Sequence, residues 1–509
     1  MNYTQKNNEI RYRTKTKLKF KYIVIMSQTI KDLKPNAVWK IFYDLTQIPR
    51  PSKKEKKAIE YVRKFGEKLG LKTIVDNAGN VIIKKPATAG MEKRKGVILQ
   101  SHLDMVPQKN SDKKHDFEKD PIEAYVDGDW VKAKGTTLGS DNGIGVATTL
   151  AVLESKTMQH GPLEALFTID EETGMTGVFN LKPGLLDGKI LLNLDSEDEG
   201  ELCIGCAGGM NTTGKIKFKT EPVPSGSKAW KLSMTGLKGG HSGVDINLGR
   251  ANSNKLLNRF MMDAAKRFRM RLASIDGGSL RNAIPRESFA IVTVPEKFTK
   301  DFLAAAKSYQ DVLKSEIGTV ETDLKFTVDP SDNPESVINN TAQIKLLKAV
   351  YGIPNGVIRM STEMPDIVET SSNLAIIKSE NGWIDLRCLL RSSVDSAKED
   401  LGVAIQSVLE LAGAKVTHDG DYPGWKPDVS SSILQTMKKV YNKKFGKNPD
   451  VKVIHAGLEC GIIGDVYQGM EMVSFGPTIK FPHSPDEKVH IGSVQKFWDF
   501  LVETLKNIP

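Results

Sequence analysis

Val97-Ile98-Leu99-Gln100-Ser101-His102-Leu103-Asp104 is a short, largely apolar run that closes on a histidine and an aspartate two residues apart. Such a run is the pattern of a strand buried on both faces. Side chains on an extended chain repeat with period two, so His102 can aim its imidazole at a metal while Asp104 returns to the same face. From there the carboxylate can fix the tautomer and orientation of the ring. A lone His-x-Asp is short enough to arise by chance. Its weight comes from what stands at the ends of the other strands.

Downstream, Gly139-Ser140-Asp141-Asn142-Gly143 precedes a helical pattern carrying Ile144, Val146, Leu150 and Val152. Alone, Asp141 reads as a cap for the free amides of that helix. A strand over 163–169 ends in Asp170-Glu171-Glu172-Thr173-Gly174. Like charges packed at the end of an apolar strand are costly unless something cationic sits among them. A strand over 190–194 ends in Asp195, and one over 472–475 leads through Gly476-Pro477 to His483-Ser484-Pro485-Asp486-Glu487, ahead of a helix over 493–505. Strand ends are where open α/β sheets place their ligands. Together these residues read as the parts of a two-metal hydrolytic site.

Upstream, Val38, Ile41, Phe42 and Leu45 recur at helical spacing over 37–48, and Pro49-Arg50-Pro51 cannot continue a helix. A second helix over 54–69 stops at Gly70, and 71–83 alternates around Asn77-Ala78-Gly79-Asn80 as a hairpin. From about Gly209 the chain changes character. Strands over 230–235, 288–294, 324–328 and 383–390 alternate with helices over 252–267, 301–317 and 396–411, an α+β insert packed on one sheet. Gly413 is placed to cap its last helix, and Tyr422-Pro423-Gly424-Trp425 reads as the return linker. The expected division is a catalytic domain from 26–208 and 423–509 around an inserted domain of 209–422.

At 509 residues the chain exceeds the roughly 250–300 that one core supports, so two or more domains are expected. With 39% hydrophobic and 26% charged residues it fits neither the disordered nor the membrane class, and its apolar runs are too short to span a bilayer. The net charge of +10 invites a nucleic-acid reading, but residues 1–25 carry seven basic side chains against one acid and hold +6 of it. That segment has no secretory signal pattern, and Met26 offers a second start, so a start-site artefact or basic tail is favoured over a nucleic-acid arm. Four scattered cysteines, Cys203, Cys206, Cys388 and Cys460, suit a reducing cytoplasm. Cys203 and Cys206 have CxxC spacing but no second pair to close a zinc site.

The motifs at 101–104, 139–143 and 170–174, with Asp195, Gly239-Gly240-His241-Ser242-Gly243 and His483, resemble the di-zinc aminoacylase, carboxypeptidase and dipeptidase family. His455-Ala456-Gly457-Leu458-Glu459-Cys460-Gly461 and the 422–425 segment favour its aminoacyl-histidine dipeptidase branch. The likeness runs from about Met26 to the end. It implies an α/β catalytic domain with a mixed central sheet flanked by helices, plus an α+β lid and dimerisation domain. It further implies two divalent ions, zinc first, with manganese or cobalt also suited to such ligands. His102 and Asp195 would hold one ion, Glu172 and His483 the other, and Asp141 would bridge them, since ions roughly 3.5–4 Å apart need a shared ligand. Glu171 matches the family's general base, Asp104 the residue orienting His102, and His241, Asn282, Arg391 and Gly457 the groups that hold the substrate carboxylate and oxyanion. The expected activity is cleavage of unblocked dipeptides, Xaa-His among them, by a cytoplasmic homodimer joined through the lid, with His241 reaching the partner's site. An aminoacylase or carboxypeptidase is the neighbouring reading, and a non-catalytic peptide-binding protein the reading from another class. The five ligands, Glu171 and Asp104 are all intact, which argues against the last.

Overall fold

The computed structural model describes residues 29–509. The basic stretch 1–25 and the alternative start at Met26 lie outside the described residues.

Two large sheets organise the chain. The first has eight strands in the order Lys72–Val75, Val81–Lys85, Leu163–Thr168, Val97–His102, Ile190–Asn193, Glu471–Ser474, Glu201–Cys206 and Asp450–Ile454. Its centre is parallel and its first strands antiparallel, so it is a mixed sheet. Ile98, Leu99, Leu166, Leu191 and Leu192 are at most 1% exposed. Full burial of such a side chain is worth roughly 1.5–3 kcal/mol, which lets the strand ends tolerate a crowd of charges. The helix Ser140–Glu154 is buried around nearly its whole circumference. It lies between the strand Val97–His102 and the helix Asn36–Thr46, and a helix apolar all round needs cover on every side. A four-stranded sheet joins Ile479–Lys480 and Lys488–His490 to Trp130–Ala133 and Ala124–Asp127. It pins both ends of the loop that carries His483.

The insert is built on one nine-stranded antiparallel sheet. Lys325–Pro330, Ser227–Thr235, Ser288–Pro295 and Arg271–Gly277 form one side, and Val368–Glu380, Trp383–Ser392, Gly208–Lys217 and Lys415–Tyr422 the other, with Gly356–Met360 beside Val368–Glu380. The two sides meet through only two residue pairs, Asp276 with Lys378 and Gly277 with Ile377. The sequence reading anticipates about half of these strands and none of the helix Asn340–Gly352. Gly413 has φ +77° and its amide bonds Glu410 O at 2.7 Å, the expected helix end. Where the chain crosses between the sheets, Cys206 and Trp425 exchange backbone hydrogen bonds of 3.0 and 2.9 Å, so the outgoing and returning strands run side by side.

Candidate metal centre and substrate cleft

The ends of adjacent parallel strands bring the acids and histidines together. His102 Nε2 lies 3.1 Å from Asp141 Oδ1 and 3.4 Å from Asp195 Oδ1. His483 Nε2 lies 3.2 Å from Asp141 Oδ2 and 2.9 Å from Glu172 Oε2. Asp141 therefore presents one oxygen to each histidine. His102, Asp141 and Asp195 form one group whose potential ligand atoms lie within 4.8 Å of one another, Asp141, Glu172 and His483 a second, and His102, Glu171 and Glu172 a third. A cleft of about 310 Å³ opens on Asp141, Glu171, Glu172, Asp195 and His483.

Four side chains missed in the sequence hold this cluster. Glu487 is buried and its Oε1 accepts from Ser140 N (2.7 Å), Ser140 Oγ (2.6 Å) and Asp141 N (3.3 Å), while Oε2 accepts from Leu138 N (2.8 Å) and Gly139 N (3.0 Å). It holds the turn that presents Asp141, whose peptide bond to Asn142 is cis. Arg50, 3% exposed, donates to the carbonyls of Leu103 (2.9 Å), Asp104 (2.8 Å) and Gly139. Ser52 donates to Asp104 Oδ2 at 2.8 Å. Asp104 also accepts from Glu171 N and Glu172 N at 3.0 and 3.2 Å, and its Oδ1 lies 3.2 Å from His102 Nδ1. One carboxylate thus sets the ring of His102 and the backbone of both glutamates. Asn142 bonds Asp195 and the Leu194 carbonyl. Only the Pro-flanked Arg50 and the acid at the end of the 483–487 motif could have hinted at these roles.

Beneath the cluster lies a row of buried polar side chains. Glu459 Oε2 accepts from Gln100 Nε2 (2.6 Å) and Thr168 Oγ1 (2.8 Å), Gln100 Oε1 accepts from Asn193 Nδ2 (2.5 Å), and Ser474 donates to Asn193. The row crosses four neighbouring strands just before the residues that form the site.

The electrostatics fit a cationic ligand. Burial raises Glu171 well above the carboxylate range, against the pull of His102, and raises Asp195 to about 6. Burial lowers His102, but Asp195, Asp104 and Asp141 outweigh it and hold the ring well above its ordinary value. Bonds to Asp141 and Glu172 raise His483 to about 11. Glu172 Oε1 is buried with no partner. Four carboxylates around two imidazoles, with one oxygen unmet, form a donor set suited to two divalent ions.

The insert's residues gather at a second cluster. Arg391, 5% exposed, donates from Nη1 to Tyr422 Oη (3.2 Å) and from Nε to Ser242 Oγ (3.5 Å), and its Nη2 lies 3.4 Å from His241 Nε2. Among the described residues it has no carboxylate partner, which is costly for a buried charge. His241 Nδ1 accepts from Gly243 N and Val244 N at 3.2 and 3.1 Å, which leaves its proton on Nε2. Two donors, Arg391 Nη2 and His241 Nε2, therefore face the same space. His241 and Arg391 thus stand together on the insert. Asn282 accepts from Ser242 N at 2.8 Å through its carbonyl, which places it beside this loop. Gly457 packs against Tyr422, and a side chain at Gly243 would run into the His455 carbonyl. The segment between Ile454 and Glu459 links the clusters, since Ile454 and Leu458 line the acidic cleft.

A mixed α/β unit with a shared aspartate between two histidine-carboxylate groups is the architecture of metal-dependent peptidases, and the chain belongs to peptidase family M20/M25/M40, whose model matches residues 98–507. It is 46% identical over 480 residues, 94% of this chain and 99% of the relative, to the cytosol non-specific dipeptidase of Escherichia coli (strain K12). The aminoacylhistidine dipeptidase of Vibrio alginolyticus superposes with a TM-score of 0.91 at 48% identity, over 95% of this chain and 98% of that one. The aminopeptidase PepT of Bacillus cereus ATCC 10987, 15% identical, shares the fold with a TM-score of 0.56 over 94% of this chain and 99% of its own. No helix among the described residues is long and apolar enough to cross a membrane.

Proposed function

We propose that this chain is a two-metal dipeptidase that cleaves unblocked dipeptides, Xaa-His among them, in the cytoplasm. The observation that carries this reading is Asp141, whose two carboxylate oxygens face His102 on one side and His483 on the other. His102 and Asp195 would hold one ion, Glu172 and His483 the second, and Asp141 both. The mix of imidazole and carboxylate favours zinc, with manganese or cobalt able to use the same donors. When bound, such a pair supplies Lewis-acid polarisation of the peptide carbonyl and a lowered water pKa.

The chain's own residues do the rest. Glu171 takes the proton of the attacking water on its carboxylate and returns it to the leaving amine, general acid–base work in a buried site. Asp104 keeps the His102 ring turned toward the ligand space. Arg391 receives the free carboxylate of the dipeptide beside Gly457, and His241 Nε2–H, with Asn282 near it, stabilises the developing oxyanion. In this reading the eight-stranded unit, residues 26–208 and 423–509, is the catalytic domain and 209–422 the lid. A homodimer joined through the lid is part of the proposal, with His241 reaching the partner's site.

The test is a panel of free and N-acetylated dipeptides assayed on metal-stripped protein before and after single-metal addition. Activity on free dipeptides should vanish with the metal and return with zinc. Full turnover in excess chelator, with metal loss verified by elemental analysis, or a preference for the acetylated substrates, would sink the reading.

A further inference from the structure

The strand Lys415–Tyr422 ends the insert, and its last side chain turns into the Arg391 cluster. Tyr422 Oη accepts the Arg391 Nη1–H at 3.2 Å, and its own hydroxyl proton has no acceptor among the described residues. The ring is seated by glycines. An added Cβ at Gly209 would come 2.6 Å from Tyr422 Cε1, Cζ and Oη, and one at Gly457 would come 2.9 Å from Cε2 and 3.2 Å from Oη. Its backbone is fixed as well, since the buried Lys398 ammonium donates to the Tyr422 carbonyl at 2.6 Å. Two donors, Arg391 and the Tyr422 hydroxyl, thus stand side by side, and Arg391 has no carboxylate partner among the described residues.

We propose that Tyr422 is a specificity-determining residue, donating its hydroxyl proton to the substrate's C-terminal carboxylate beside Arg391, and that Gly457 is glycine to seat its ring. This rests on the dipeptidase reading above. A planar guanidinium fixes a carboxylate through its fork, and a phenol at its edge adds a third charge-assisted bond. An amide carbonyl can accept the same proton, but without the charge that strengthens the bond. Tyr422 therefore separates dipeptides from their C-terminal amides, in which a neutral group replaces the charge.

The experiment compares wild type, Tyr422→Phe and Gly457→Ala, each metal-loaded, on a dipeptide and on its C-terminal amide. Tyr422→Phe keeps the ring and removes one hydrogen bond to a charge, so KM for the dipeptide should rise about tenfold with kcat within about twofold. KM for the amide should rise by less, about threefold, so that the preference for the acid narrows about threefold. Gly457→Ala should displace the ring and raise KM likewise, and Tyr422→Phe/Gly457→Ala should be no worse than Gly457→Ala alone. An unmoved KM in Tyr422→Phe, or equal rises for acid and amide, overturns the tyrosine's role while leaving the dipeptidase reading intact. A wild-type enzyme inert toward every unblocked dipeptide sinks both.

Discussion

Replacing Glu487 by glutamine tests how much of the metal centre is held from behind. Its two oxygens take four backbone amides and one hydroxyl from residues 138–141, all at 2.6–3.3 Å. A glutamine has one oxygen, and its NH₂ must face one pair of those amides whichever way the group is turned. Two buried N–H groups therefore lose their acceptor. At roughly 1–3 kcal/mol for each unmet donor, the change should cost about 2–6 kcal/mol. That is a large share of the ~5–15 kcal/mol by which a folded protein is stable. Because the same turn presents Asp141, metal affinity should also weaken by ~10–100-fold, the usual consequence of removing a group that orients a ligand. Urea unfolding followed by tryptophan fluorescence reads the first effect, and competition with a chromophoric chelator the second. If Glu487→Gln matched wild type in both midpoint and metal affinity, the carboxylate would be a bystander and the account of how Asp141 is placed would fail.

Three further outcomes are expected. Glu171→Gln should keep both metals and lose ~10²–10⁴-fold in kcat, whereas Asp141→Ala should lose metal; the reverse pattern in elemental analysis would undo the roles. Glu471 accepts from Ile433 N (3.0 Å) and the hydroxyls of Ser431 and Ser432, and pairs with Lys95 at 2.9 Å, at the start of the helix Ser432–Phe445. Burial pushes this carboxyl up, but those partners outweigh it and hold it at about 2, below its ordinary value of 4.5. Its stabilisation is thus full above pH 4.5 and is lost as pH falls toward 2. Glu471→Gln should cost about 1 kcal/mol at pH 6, with the gap to wild type closing between pH 5 and 2; a gap constant with pH would show that the charge does not matter. Finally, mixing Glu171→Ala with His241→Ala chains should restore roughly a quarter of wild-type activity, because each mixed dimer holds one site with both residues intact. Recovery that never exceeds the two parents, with mixed dimers shown to have formed, would place it in cis.

The acids at strand ends were legible because apolar runs closing on charge are expensive, and metal chemistry is the economical explanation. The helices around Ile41 and Leu257 showed the same clarity, since their apolar positions repeat at helical spacing. The strand Val368–Glu380 did not show itself. Its Thr370, Ser371 and Asn373 are buried but polar, because Ser392, His455 and the 281–283 backbone meet them across the fold. A pattern rule that equates burial with apolar residues cannot see such a strand. Arg50, Glu459 and Glu487 were hidden for a related reason. Their partners lie more than fifty residues away in sequence, so beyond the prolines around Arg50 and the motif ending in Glu487 nothing local marks what they hold. Tyr422 was read as part of a linker, and only the glycines folded against it reveal what its ring is for.

The polar row under the metal centre bears on how the chain finds its register. Val97-Ile98-Leu99, Leu191-Leu192 and Met472-Val473 are buried on both faces, so burial alone scarcely distinguishes the native alignment of these parallel strands from a slipped one. Gln100 beside Asn193, and Asn193 beside Ser474, do distinguish it. A slip by one residue would turn the amides away from each other and strand the Glu459 carboxylate in an apolar interior, at a cost of roughly 1–3 kcal/mol for each polar group left unmet. His102 lies two residues beyond Gln100, and Asp195 two beyond Asn193. The row therefore acts as a proofreading device for folding, and the spacing of the catalytic groups is inherited from the only alignment it accepts.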